Sequence, residues 1–194
     1  MKQANHLKFA HACWEEQVNP GDIVIDATCG NGYDTLFLAN IALTNVSGTL
    51  FSLDIQPEAI ESAKGLLLKE LNPLLIDKVN FVLGSHAAFP NIIAPESVQL
   101  IVYNLGYLPG GDKTKTTMTD STLQSISQAQ LLIKKRGMIS ITCYPGHEEG
   151  KHEEEAILNY CAQLNPREWT CCHHQWINRK SAPSLLILTR SIFL

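Results

Sequence analysis

Asp22-Ile23-Val24-Ile25-Asp26-Ala27-Thr28-Cys29-Gly30-Asn31-Gly32-Tyr33-Asp34-Thr35 is the stretch on which the architecture turns. Its first half, Asp22 to Ala27, is a compact β-branched run that reads as a strand; two glycines follow in a turn, and Tyr33 to Leu43 carries apolar residues at helical spacing. A strand, a glycine-containing turn and a helix open a βαβ unit, and the same rhythm continues downstream.

Gly48 to Asp54 is a second strand closing on an acid, after which Pro57, tolerated in a first turn, opens a helix to about Leu71. Val79 to Leu83 and Val98 to Asn104 read as strands three and four. Beyond a Gly/Pro-rich loop at 105–111, a helix from about Ser121 to Lys135 is expected to end at Gly137, where a left-handed cap costs little. Met138 to Tyr144 is strand five. Glu148 to Leu164 is a helix whose early acids complement the positive end of its dipole. Glu168 to Trp176 and Pro183 to Thr189 are two more strands, joined by a connection short enough only for an antiparallel turn. This order predicts an α/β fold of the Rossmann-like class I methyltransferase type: a mostly parallel seven-stranded sheet with an antiparallel last strand and helices on both faces.

With 194 residues, 45% hydrophobic and 18% charged, the chain reads as one globular domain over 1–194 rather than a disordered or fibrous protein. The opening residues lack the apolar core of a secretory signal, and no window approaches the roughly 20 apolar residues that span a bilayer, so the expected compartment is the cytoplasm. Cysteines at 13, 29, 143, 161, 171 and 172 show no C-x-x-C spacing and read as reduced thiols. Cys171-Cys172-His173-His174 has metal-binding residue types, but consecutive strand residues point to opposite faces and cannot converge on one tetrahedral ion; no metal is expected.

Two glycines at a strand-to-helix turn let a ligand approach the backbone, although a tight turn needing glycine for its dihedrals would look the same. Thr35 stands where the third glycine of a dinucleotide fingerprint would fall, which disfavours a pyrophosphate, while Asp54 at the end of strand two can accept hydrogen bonds from both ribose hydroxyls. An adenosine cofactor without a pyrophosphate, S-adenosylmethionine, fits both facts. The expected cofactor contacts are Asp26, Thr28, Gly30, Asn31, Gly32, Asp34, Thr35, Asp54, Ile55, Gln56, Ser85, His86 and Asn104, with the Gly30–Gly32 backbone, Asp26 and Asn31 at the methionine part, Asp54 on the ribose, and Gln56, Ser85 and His86 on the adenine side. Asp26 could equally cap the turn, and Gln56 could be a solvated helix start.

Strand four ends in Asn104-Leu105-Gly106-Tyr107, at the sheet edge that faces a methyl donor in this architecture. The Asn104 side-chain oxygen can accept N–H bonds from an amine and aim its lone pair at the methyl, with Tyr107 shielding the acceptor. Tyr144-Pro145-Gly146-His147 brings an aromatic and an imidazole to the same edge. If the acceptor arrives as an ammonium, His147 or Tyr107 must take its proton, though His147 could instead cap a helix.

DATCGNGYDT, SLDIQPEAI, NLGYLPGGDK and YPGHEEGKHE together resemble the family first labelled rRNA methylases that includes the MnmM-type tRNA (5-aminomethyl-2-thiouridine) methyltransferases. The resemblance implies S-adenosylmethionine-dependent N-methylation of the aminomethyl group on the wobble uridine of tRNA. It implies Asn31, Asp54, Gln56, Ser85 and His86 around the cofactor and Asn104, Tyr107, Tyr144 and His147 around the acceptor. The alternatives are a methyltransferase for an rRNA base or a small-molecule amine, and a cofactor-binding protein without turnover.

A formal net charge of −4 excludes bulk electrostatic coating of RNA, so contact with tRNA must be local. Lys113 and Lys115, directly after the acceptor loop, are the expected phosphate contacts; Lys134, Lys135, Arg136, Arg167, Arg179 and Lys180 are further basic groups. A homodimer would combine two such patches. Asn5 to Gln17, with Leu7, Phe9 and Trp14, reads as an amphipathic helix, either a lid over the cofactor or a plain packing helix.

Overall fold

The computed structural model describes residues 6–106, 117–179 and 181–192. An N-terminal helix α1 (His6–Gln17) precedes β1 (Ile23–Asp26), α2 (Tyr33–Ala42), β2 (Thr49–Asp54) and α3 (Pro57–Glu70). A short 3-10 turn (Pro73–Lys78) leads into β3 (Val79–Leu83) and then β4 (Val98–Asn104). The rest comprises α4 (Thr119–Leu132), β5 (Ile133–Cys143), α5 (Glu148–Ala162), β6 (Trp169–His174) and β7 (Ser184–Arg190). All seven strands form one sheet in the order β3-β2-β1-β4-β5-β7-β6. Strands β1 to β5 pair in parallel and β7 runs antiparallel to both β5 and β6, the reversal that the short last connection requires.

The period-two alternation of the central strands divides the interior into two cores. Ile25 and Ile101 point to one face, with Ile126 of α4, Ile157 of α5 and Trp169. Their neighbours Val24 and Leu100 point to the other, with Trp14 of α1, Leu38 of α2 and Leu67 of α3. Both faces of β1 and β4 are therefore covered, which is why these strands read as continuous apolar runs.

The N-terminal helix is a packing element. Ala10 and Trp14 are fully buried, and the Trp14 indole N–H donates to Ser140 Oγ at 2.8 Å, tying α1 to the middle of β5. Phe9, expected on the apolar face, is instead 45% exposed, with its ring 4.8 Å from that of His174.

The end of α4 differs from expectation. The helix stops at Leu132, and Ile133 already pairs with Val98 through an irregularity in the β4–β5 ladder. Arg136, not Gly137, adopts positive φ (65°). Gly137 is needed for space: a Cβ there would stand 2.8 Å from Ile133 Cγ2 and Lys134 O. The Lys134 ammonium, counted among the basic groups, pairs with Asp22 at 2.6 Å. A basic run after a helical pattern mimics a C-terminus, and strand pairing overrides it.

Candidate active site

The carboxyl ends of β1, β2 and β4 open onto a cavity of about 460 Å³, large enough for a nucleoside-sized ligand. Its floor is the turn after β1. Gly30 and Gly32 have φ of 50° and 84°, and a Cβ on Gly32 would lie 2.6 Å from Ala63 Cα on α3. Only glycine admits that left-handed, close-packed turn. The Asp54 carboxylate closes it from β2, accepting Gly30 N–H at 3.0 Å on Oδ2 and Gln56 N–H at 2.9 Å on Oδ1. Each oxygen retains capacity for another donor, so Asp54, which lines the cavity, can still take a pair of ligand hydroxyls.

Beneath this floor lies a buried carboxylate. Asp26 accepts from Thr35 Oγ1 at 2.6 Å and Thr28 N–H at 3.2 Å. Burial, reinforced by the charge of Asp34, pushes its pKa up to about 7. Asp26, Gly32 and Thr35, named from the sequence as cofactor contacts, therefore do not line the cavity; they hold the turn from below. Thr28, Gly30, Asn31, Asp34, Asp54, Ile55, Gln56, Ser85, His86, Asn104 and Tyr144 do line it. His86 is nearly buried, its Nε2 has no hydrogen-bond partner among the described residues, and burial lowers its pKa to about 4, leaving a neutral ring at the wall.

At the far wall the Asn104 amide has a defined orientation. Its Nδ2 donates to Asp34 Oδ2 at 3.2 Å, while Asp34 Oδ1 accepts from His11 Nε2 at 2.8 Å. The His11 ring stacks on Phe37 at 3.9 Å, so α1 and α2 brace this carboxylate together. With Nδ2 engaged, Asn104 Oδ1 is a buried acceptor without a partner among the described residues. Such an acceptor costs free energy unless a ligand N–H reaches it. Tyr144 lines the same wall; its hydroxyl lies 3.2 Å from His6 Nε2, and burial raises its pKa to about 12.

His147 does not reach the cavity. It is the N-cap of α5, and its Nδ1 accepts Gly150 N–H at 3.0 Å. Tyr107, Lys113, Lys115 and Lys180 lie outside the described residues. Among the described residues no group of histidines, cysteines and acids is arranged to hold a metal, and no helix is long and apolar enough to cross a membrane.

Residues 50–190 match the family described as "Putative rRNA methylase". The chain belongs to this family. It is 37% identical over 186 residues to an Arabidopsis thaliana protein named tRNA (mnm(5)s(2)U34)-methyltransferase, chloroplastic, covering 93% of this chain and 68% of the relative. A solved Clostridium thermocellum protein described in the same words as the family superposes with a TM-score of 0.90 at 32% identity, over 98% of this chain and all of that one. A solved Streptococcus mutans protein in complex with SAH shares the fold, with a TM-score of 0.83 at 24% identity, covering 96% of this chain and 98% of that one.

The rRNA methylase fold also brings in residues that periodicity does not mark. Glu153, on the first turns of α5, is buried and accepts from Thr117 Oγ1 at 2.9 Å and Thr122 Oγ1 at 2.7 Å. Thr117 in turn accepts Gly106 N–H at 2.9 Å, so the carboxylate anchors both ends of the segment after β4. Glu148, Glu149, Glu153, Glu154 and Glu155 are alike as acids in the first turns of this helix, and only the fold singles out Glu153, the one of them that is buried. His6 and His11 likewise reach the site only because α1 packs across the sheet.

Proposed function

We propose that this protein transfers a methyl group from S-adenosylmethionine to the primary amine of 5-aminomethyl-2-thiouridine at the wobble position of tRNA. The observation that carries the reading is Asn104 among the residues that line the cavity, its Nδ2 held by Asp34 and its buried Oδ1 without a hydrogen-bond partner among the described residues. An acceptor that costs free energy when empty is matched by an amine, which brings the N–H donors it lacks. The name of the Arabidopsis relative supports the choice of nucleoside.

The donor's residues fit as well. Asp54 would hold the ribose hydroxyls, the backbone of the Gly30 turn the amino-acid end, and Ile55 with neutral His86 the adenine side. When bound, the cofactor supplies an electrophilic methyl group on a sulfonium, which needs no metal. The chain's part is to position and deprotonate the amine. Asn104 Oδ1 accepts one N–H and so directs the nitrogen lone pair. An alkylammonium must first lose a proton, and Tyr144 with His6 forms the chain's route for it: burial lowers the His6 pKa, so its ring is neutral at pH 7 and can accept.

Transfer of labelled methyl to tRNA carrying 5-aminomethyl-2-thiouridine, followed by nucleoside mass analysis, tests the reading. The expected product is the 5-methylaminomethyl nucleoside, and Asn104→Ala should bind the donor yet lose transfer. Methyl on any other nucleoside, or none on tRNA, overturns the assignment.

A further inference from the structure

A second hollow of about 360 Å³ lies beside the active site, lined by Pro145, Glu154, Trp176, Ile177, Arg179 and Ser184 among others. It shares the sheet end that carries the chemistry. Tyr144 lines the active-site cavity and the next residue, Pro145, lines this one; Ser184 pairs with Cys143, the last residue of β5. The turn that carries Arg179 lies against Gly146: a Cβ added there would stand 3.7 Å from Ser181 O.

Trp14 and Trp169 are core residues, whereas Trp176 is 37% exposed, and Ile177 beside it is 97% exposed. Arg179 places its guanidinium 5.7 Å from the Trp176 ring centroid. The Glu154 carboxylate, held by Ser184 Oγ and facing His173 Nε2 at 3.6 Å, supplies an acceptor in the same hollow. An exposed aromatic face, a guanidinium and an acceptor are the groups that hold a single-stranded nucleotide: the ring stacks the base, the cation meets phosphate, and the carboxylate takes a base amino or imino hydrogen. In a chain of net charge −4, such a local device gives RNA affinity without a basic field.

We propose that the Trp176–Arg179 hollow is a nucleotide subsite that stacks an anticodon-loop base flanking the modified uridine and contacts its phosphate. This rests on the tRNA reading above and deepens it.

The test measures tRNA binding and steady-state methylation for the full chain and for the Trp176→Ala, Trp176→Phe and Arg179→Ala variants, with donor affinity by calorimetry as the control for folding. Trp176→Ala should weaken tRNA binding about 5- to 150-fold, the loss of one base stack, with donor affinity unchanged. Trp176→Phe keeps an aromatic face and should stay near wild type. Arg179→Ala should lower the salt dependence of binding by about one phosphate contact. Trp176 fluorescence should be quenched by a single-stranded RNA of the anticodon-loop sequence in wild type and not in Trp176→Phe.

Wild-type tRNA affinity in Trp176→Ala overturns the subsite while leaving the proposed function standing. A wild-type protein that neither binds nor methylates tRNA overturns both. If Trp176→Ala instead abolishes self-association in sedimentation with tRNA affinity intact, the hollow belongs to a second copy of the chain and the proposal fails.

Discussion

Asp34→Asn is the substitution that most directly probes how the acceptor is aimed. The carboxylate receives His11 Nε2 at 2.8 Å and Asn104 Nδ2 at 3.2 Å, which fixes the amide and leaves Asn104 Oδ1 without a partner among the described residues. Asparagine at position 34 presents an N–H where a carboxylate oxygen stood, and Asn104 can satisfy it by turning its own Oδ1 away from the acceptor. A hydrogen bond to a charged group contributes roughly 1.5–3 kcal/mol. Spent on orientation in the transition state, that corresponds to a fall in kcat of about 10- to 150-fold. Methyl-transfer kinetics with donor titration by calorimetry separate the cases: kcat should fall while donor affinity holds. A second readout is the ¹³C carboxyl titration of Asp26. The charge of Asp34 contributes to raising that pKa to about 7, so it should move down in the variant. An Asp34→Asn protein with wild-type kcat and weakened donor binding would refute the positioning argument and make Asp34 a donor contact only.

Three further outcomes are expected. Asp26 titrates near 3.8 unfolded and about 7 folded, so the native state holds the extra proton between them; stability from this group is complete below pH 3.8, falls as pH rises towards 7, and changes by about 4 kcal/mol in total. Denaturant titrations across that window should show the slope in wild type and its loss in Asp26→Asn. Glu153→Ala leaves two threonine hydroxyls without their acceptor and should lower stability by roughly 2–4 kcal/mol and reduce kcat, whereas Glu153→Gln, which keeps one carbonyl acceptor, should lose less; equal losses by thermal unfolding and kinetics would remove the anchoring role. His147→Ala should cost about 1 kcal/mol through the lost cap and leave kcat unchanged, while His6→Gln should lower kcat near neutral pH with little change in stability; the reverse pattern would return the proton-accepting role to His147.

Much of the cavity was legible because its residues sit at strand ends. Asp54 closes β2, Asn104 closes β4, and Gly30 and Gly32 follow β1; in a parallel sheet those ends converge on one edge, so position along the chain translates into position at the site. The same logic misjudged depth. Asp26 ends β1 and Thr35 lies in the first turn of α2, yet their side chains meet beneath the floor, Thr35 Oγ1 donating to the Asp26 carboxylate, and a sequence does not record which side of a turn a side chain takes.

What the amino-acid order determined by itself, then, is the element order, the parallel sheet with its reversed last strand, and the glycine turn with its two acids and amide, because these depend on period, propensity and strand polarity within single segments. The tertiary structure alone decided which helix residues reach the site: His6 and His11 across the sheet, and Glu153 against Thr117 and Thr122. It also made His147 a helix cap and brought Trp176 and Arg179 beside the cavity. These pairings join residues far apart in the chain, and only the packing of helices on a twisted sheet sets the distances between them.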